Sequence, residues 1–156
     1  MKFIEEKTGK EVDIVVHSKK MLKKYSGKYD DLKIYVGTDS QNKRRKTVFA
    51  TVIVYRFGTR GAHYIFSREK VKKIPDSKRF MRLWDEVERS LTVAKYLRSH
   101  DIPIYRVDLD YNRKQNTGSH MVVASGAGYV IGEGFNVSTK PDELVATKAA
   151  DHLVRH

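Results

Sequence analysis

Four acidic residues stand where carboxylate chemistry would need them: Asp39, Glu86, Asp110 and Asp142. Asp39 closes the stretch LKIYVGTD and Asp110 closes IYRVDLD, two runs that read as strands ending in an acid. If those strands are parallel neighbours, both carboxylates meet at one edge of a sheet. Unpaired carboxylates that close repel and raise each other's pKa. Divalent cations resolve the conflict. Mg²⁺ takes oxygen ligands and keeps positions for water and substrate phosphate. Two such ions can stabilise both the attacking and the leaving oxygen of a phosphodiester.

Cations lie beside these acids. Lys43, Arg44, Arg45 and Lys46 follow Asp39, and Arg113 and Lys114 follow Asp110 in a polar loop from Tyr111 to Thr117. Such groups suit the positioning of a phosphate backbone. The whole chain carries a net charge of +12, with 31 Lys and Arg among 156 residues. That excess points to a polyanionic partner, either nucleic acid or an anionic membrane surface, and the cations beside the acids favour nucleic acid. The absence of cysteine excludes disulfides and thiolate metal sites and fits a cytoplasmic protein. The histidines show no zinc spacing. No apolar run reaches membrane-spanning length, and the first six residues lack a signal-peptide core, so no membrane role is expected. Oligomeric state is not legible.

The elements that must position the acids form a mixed α/β pattern. Residues 1–31 read as an N-terminal appendage, packed on the core, with a short strand begun by Phe3 and Ile4, a turn at Thr8-Gly9, a helix near 12–26 and a stop at Gly27. Residues 32–156 read as one domain. Strands over 32–38, 47–56 and 62–68 are joined by short links, which favours an antiparallel meander. The middle strand is apolar on both faces and belongs in the centre. Ser77 is a candidate cap for a helix over 78–99, whose apolar face holds Phe80, Leu83, Trp84, Val87, Leu91 and Ala94. Glu86 borders that face and is expected against the sheet, whereas Asp85 points to solvent. Strand 104–110 follows, then a glycine-rich helix from about 122, a short strand over 135–139, and a last helix opened by Pro141.

Several motifs occur in the order GTDSQ, the long helix with Glu86, LDYN, GEGF followed by KPD, and ATKAADH. Together they resemble the ribonuclease H-like superfamily and, within it, the bacterial YkuK-type family, from about Leu32 to His156. The resemblance implies a five-stranded mixed sheet, its first three strands antiparallel, flanked by helices on both faces. It also implies a carboxylate site for Mg²⁺ or Mn²⁺, as two ions, that hydrolyses RNA, DNA or a hybrid. Asp39, Glu86, Asp110 and Asp142 match the catalytic and metal-binding acids of that pattern. Asp108 shares a strand face with Asp110 and is an alternative to it. Asp151, in ATKAADH, is the alternative to Asp142, about 13 Å further along an ideal helix and opposite its apolar face.

Each acid also has a plain structural reading. Asp39 can cap a turn, Asp110 can make an Asx-turn, and Glu86 can pair with Arg82 or Arg89. Asp142 can serve the helix dipole, and Asp151 can pair with Lys148 or Arg155. A non-catalytic nucleic-acid-binding module on the same fold is the rival function. It predicts salt-sensitive binding without turnover.

Overall fold

The computed structural model describes residues 1–25, 32–58, 61–112, 119–140 and 145–155. The elements run β1 (Phe3–Glu5), β2 (Glu11–Val12), α1 (Ile14–Tyr25), β3 (Leu32–Asn42), β4 (Lys46–Phe57), β5 (Gly61–Lys72), a 3-10 turn (Asp76–Lys78), α2 (Arg79–Ser99), β6 (Arg106–Asn112), α3 (Ser119–Gly132), β7 (Val137–Lys140) and α4 (Ala146–Arg155). The strands form one mixed sheet in the order β2-β1-β5-β4-β3-β6-β7. Among the described residues it has seven strands, not the five expected. The additional two, β1 and β2, come from the N-terminal segment, and β1 pairs antiparallel with β5 through Ile4↔Phe66 and Glu5↔Ile65. The short strand expected at Phe3 and Ile4 is β1, but its pairing with β5 joins residues about 60 apart, which local pattern does not express.

The rest follows the expected logic. β3, β4 and β5 form an antiparallel meander, and β6 and β7 add to it in parallel. β4 is central and covered on both faces. On one face Ile34, Val36, Ile53, Tyr55, Val107 and Leu109 pack against α2 residues Leu83, Val87, Leu91 and Ala94, with Met21 of α1 and Val130 of α3 in the same core. On the other face Tyr35, Val48, Ala50, Val52 and Val54 meet Ala146, Ala150 and Val154 of α4. Those three recur every fourth residue, and two are alanines, so the α4 backbone can approach the sheet closely. Asp13 caps α1, its carboxylate accepting from Val15 N and Val16 N at 2.9 Å each.

Two local expectations differ from the structure. Ser77 lies in the 3-10 turn and does not cap α2, whose N-cap is Lys78 without a side-chain bond. Phe80, in the first turn of α2, is 56% exposed because the sheet has not yet come under the helix there. Gly27 lies outside the described residues.

Candidate metal centre

β3 and β6 run parallel with Gly37 opposite Asp108. Two residues further along each strand stand Asp39 and Asp110, so the register brings these acids level on strands about 5 Å apart. Alternation puts both on the face of Tyr35, the side that α4 covers. β3 does not stop at Asp39. It continues to Asn42 in its pairing with β4, while its pairing with β6 ends at Gly37. Asp39 therefore sits where the sheet splits, backed by strand on one side only. The β6–β7 ladder shifts register between Leu109 and Asn112, so Asp110 falls at an irregularity that turns it away from regular pairing.

Asp108 is on the same face but has another task. It is fully buried. Its Oδ1 accepts from Arg106 Nε at 2.6 Å, and its Oδ2 accepts from Val145 N at 2.6 Å and Ala146 N at 2.9 Å. These amides open α4, so Asp108 acts as its N-terminal cap from a neighbouring strand. Both oxygens are engaged, Oδ1 with Arg106 and Oδ2 with the start of α4, which leaves Asp110 as the β6 acid beside Asp39.

Glu86 reaches the same end of the sheet from the other face. It is only 4% exposed, as its place on the helix wheel led one to expect. Its Oε1 accepts from Ser40 Oγ at 2.5 Å. One turn on, Ser90 Oγ bonds Thr38 Oγ1 at 2.8 Å, and Thr38 Oγ1 donates to Thr51 Oγ1 at 3.1 Å. This hydroxyl ladder seats α2 on β3 and β4. Burial raises the Glu86 pKa well above the carboxylate range, and the charges of Asp39 and Asp110 add to the rise, against Ser40 and Arg82. Arg89 is not its partner. That guanidinium pairs with Glu69 at 2.7 Å and Asp85 at 3.2 Å and lies over the Phe49 ring.

Asp39 records the crowding most clearly. Burial first, then the charge of Asp110, push its pKa up to about 7. A hydrogen bond from Ser40 N to Oδ1 at 2.9 Å opposes the shift, whereas the neighbouring Asp151 carboxylate adds to it. Asp151 thus stands beside Asp39. It also makes the ion pair open to it in sequence, accepting from Arg155 Nε at 3.0 and 2.9 Å. The Arg155 pKa is raised by Asp151 first, with further contributions from Asp39 and Asp110. Asp142 lies outside the described residues. Asp151 does not point away from the sheet because the buried stripe of α4 is Ala146, Ala150 and Val154, and Asp151 follows Ala150 at its border.

Asp39, Glu86, Asp110 and Asp151 therefore interact at one end of the sheet. The donor set is all oxygen, and two of its members are held against ionisation by their surroundings. That suits a hard divalent cation such as Mg²⁺ or Mn²⁺.

Around the acids the cations sort by face. Lys43, Arg44, Arg45 and Lys46 make the β3–β4 hairpin, closed by Lys43 N donating to Lys46 O at 2.8 Å, and Arg44 and Arg45 are exposed at its tip. Arg113 and Lys114 lie outside the described residues. A further row was missed in sequence. Arg68, Lys70 and Lys72 of β5 pair with Ala50, Val48 and Lys46 of β4, and all three are exposed. Ala50 is also the partner of Asp39, so Arg68 is level with Asp39 two strands away on the same face. The charges of Lys70, Arg68 and Lys43 lower the Lys46 pKa, with Lys70 first. The signal was present as charge at every second position of SREKVK, which alternation assigns to one face.

Residues 11–155 match the protein family described as ribonuclease H-like. No curated protein and no solved structure matches the chain.

Proposed function

The chain belongs to the ribonuclease H-like family, and we propose that it is a divalent-metal-dependent nuclease hydrolysing phosphodiester bonds of RNA, DNA or a hybrid. The observation that carries this reading is the meeting of Asp39, Asp110 and Asp151 on one sheet face with Glu86 reaching them from the other. Such an arrangement is costly without a counter-ion and serves no packing purpose. Asp39, Glu86, Asp110 and Asp151 would hold Mg²⁺ or Mn²⁺. We place Asp151 rather than Asp142 in the set because its charge acts on Asp39 and contributes to raising the Asp39 pKa. When bound, a pair of such ions supplies Lewis-acid stabilisation to the attacking and leaving oxygens of an in-line displacement.

The chain's own residues supply position and charge. Ser40 orients two acids at once, its amide holding Asp39 and its hydroxyl holding Glu86. Arg155 holds Asp151, and Asp108 aims the helix that carries it. Arg68, Lys70, Lys72 and Lys46 form a basic stripe on the face of Asp39 that suits the phosphates flanking the scissile bond.

Cleavage of labelled single-stranded RNA, duplex DNA and RNA–DNA hybrid in Mg²⁺, Mn²⁺ or EDTA tests the proposal, with Asp39→Asn as control. The expected result is metal-dependent cleavage of at least one substrate, lost in the variant. Equal cleavage by Asp39→Asn would refute the site. Salt-sensitive binding with no cleavage in any metal would establish the binding module instead.

A further inference from the structure

A second group of metal-ligating side chains lies far from the carboxylates. Glu5 of β1, His17 of α1 and His63 of β5 each offer a ligand atom, and these atoms all lie within 4.8 Å of one another. His17 Nε2 and His63 Nε2 are 2.9 Å apart, and His63 Nε2 is 3.6 Å from Glu5 Oε1. Both imidazoles are buried, each 7% exposed, while the Glu5 side chain is 24% exposed. His63 is level with Tyr55 and Ile34 across the sheet, five residues before Asp39 on β3. The two groups are thus separated by about 17 Å along the strand direction alone.

We propose that Glu5, His17 and His63 form a zinc site that fastens the N-terminal β1–α1 segment to the core sheet. Zinc bound at about 2.0–2.1 Å to nitrogen or oxygen in tetrahedral geometry places its ligand atoms about 3.3 Å from each other. The two observed edges, 2.9 and 3.6 Å, bracket that value, so small rotations of the imidazoles would complete the geometry. Two imidazoles and one carboxylate are a zinc donor set and a poor one for Mg²⁺, which takes oxygen. The two Nε2 atoms face each other within hydrogen-bond distance. Without a metal, one of those nitrogens has to donate to the other.

The carboxylate is prepared in its turn. Thr8 Oγ1 donates to Glu5 Oε2 at 2.9 Å, which leaves Oε1 toward His63. The turn that brings Thr8 there is closed by Gly9 at φ 68°, a left-handed conformation, with Gly9 N bonded to Glu5 O at 2.8 Å. Such outer partners orient metal ligands and tune their affinity. The exposed side of Glu5 leaves a fourth position for water. Each ligand comes from a different element, so binding would close the chain between residues 5 and 63. Sequence spacing does not reveal the group, because its two histidines are 46 residues apart.

The full chain, stripped with EDTA and dialysed, is titrated with Zn²⁺ by calorimetry and with Co²⁺ by visible absorption. The expected result is one strong site with the intense spectrum of tetrahedral Co²⁺. His17→Gln and His63→Gln should each weaken binding at least a hundredfold, and the milder Thr8→Ala about tenfold. Asp39→Asn should leave Zn²⁺ affinity unchanged, which separates this site from the carboxylate centre and from the fate of the nuclease proposal. Zinc at a hundred times its Kd should raise the folded-to-unfolded ratio about a hundredfold and the Tm by about 5–10 °C. Absence of a tetrahedral Co²⁺ spectrum in the wild-type chain overturns the proposal even if the glutamine variants fail to fold. Equal Zn²⁺ affinity in His17→Gln overturns it as well, by assigning the binding to other histidines.

Discussion

Replacing Asp39 with Asn should stabilise the metal-free protein above neutral pH while abolishing the activity proposed for it. In the folded chain burial, Asp110 and Asp151 hold the Asp39 pKa at about 7, against an ordinary value of 3.8. Between those values the native state keeps a proton that the unfolded state has lost. The native state binds more protons, so stability falls as pH rises through this window. At 1.36 kcal/mol per pKa unit, the loss amounts to about 4 kcal/mol by pH 8 and is small at pH 4. Asn is neutral throughout and escapes it. Glu86, also raised by burial and by Asp39, shifts wild-type stability in the same direction, and loses one of its repulsive neighbours in the variant. Urea unfolding in EDTA from pH 4 to 9 should therefore show wild type and Asp39→Asn converging at the acid end. Above pH 7 the variant should be more stable by on the order of 4 kcal/mol. Millimolar Mn²⁺ should restore wild-type stability at pH 8 and have little effect on the variant. Parallel pH profiles in EDTA, or equal response of both proteins to Mn²⁺, would refute the reasoning that these acids crowd one another to receive a cation.

Asp108→Ala should cost about 3–5 kcal/mol in chemical denaturation, because it removes the buried carboxylate that accepts from Arg106 and from two amides at the start of α4. Ser40→Ala should weaken Mn²⁺ binding by calorimetry about tenfold without changing nucleic-acid affinity, since it removes the hydroxyl that favours ionised Glu86 but keeps the amide bonded to Asp39. Replacing Arg68, Lys70 and Lys72 together with Gln should leave the Tm unchanged. It should reduce the salt slope of nucleic-acid binding by about 2–3 in fluorescence anisotropy, and an unchanged slope would remove the basic stripe from the interface.

Much of the site's framework is legible in sequence because strand alternation and helix periodicity are local. LKIYVGTD and IYRVDLD announce strands ending in acids, and the structure pairs them in parallel. The helix wheel separates Glu86 from Asp85. Other features depend on contacts that local pattern cannot express. Asp108 and Asp110 have identical parity, and what separates them is the start of α4, which comes back onto β6 from 37 residues away. The strand expected over 32–38 continues to Asn42, because β4 offers a partner along the whole length. The place of Asp151 depends on which stripe of α4 is buried. That stripe is made of alanines and one valine, weaker markers than the leucines of α2.

The two faces of the sheet contribute to the candidate centre in different ways. Asp39, Asp110 and Asp151 gather on the α4 face at the point where β3 and β6 part. Glu86 comes from the α2 face, where it is buried and restrained by Ser40. Adjacent residues of a strand point to opposite faces, so Ser40 is the next residue after Asp39 yet belongs to the other side. Its amide and hydroxyl therefore tie acids from both faces into one electrostatic unit, and the charge of Asp39 contributes to the raised pKa of Glu86 across the sheet. A turn at Gly37 would have broken this arrangement. The continuation of β3 to Asn42 is what fixes Asp39 and Ser40 back to back, and the same continuation carries the chain to the hairpin of Lys43, Arg44, Arg45 and Lys46 on the sheet's basic side.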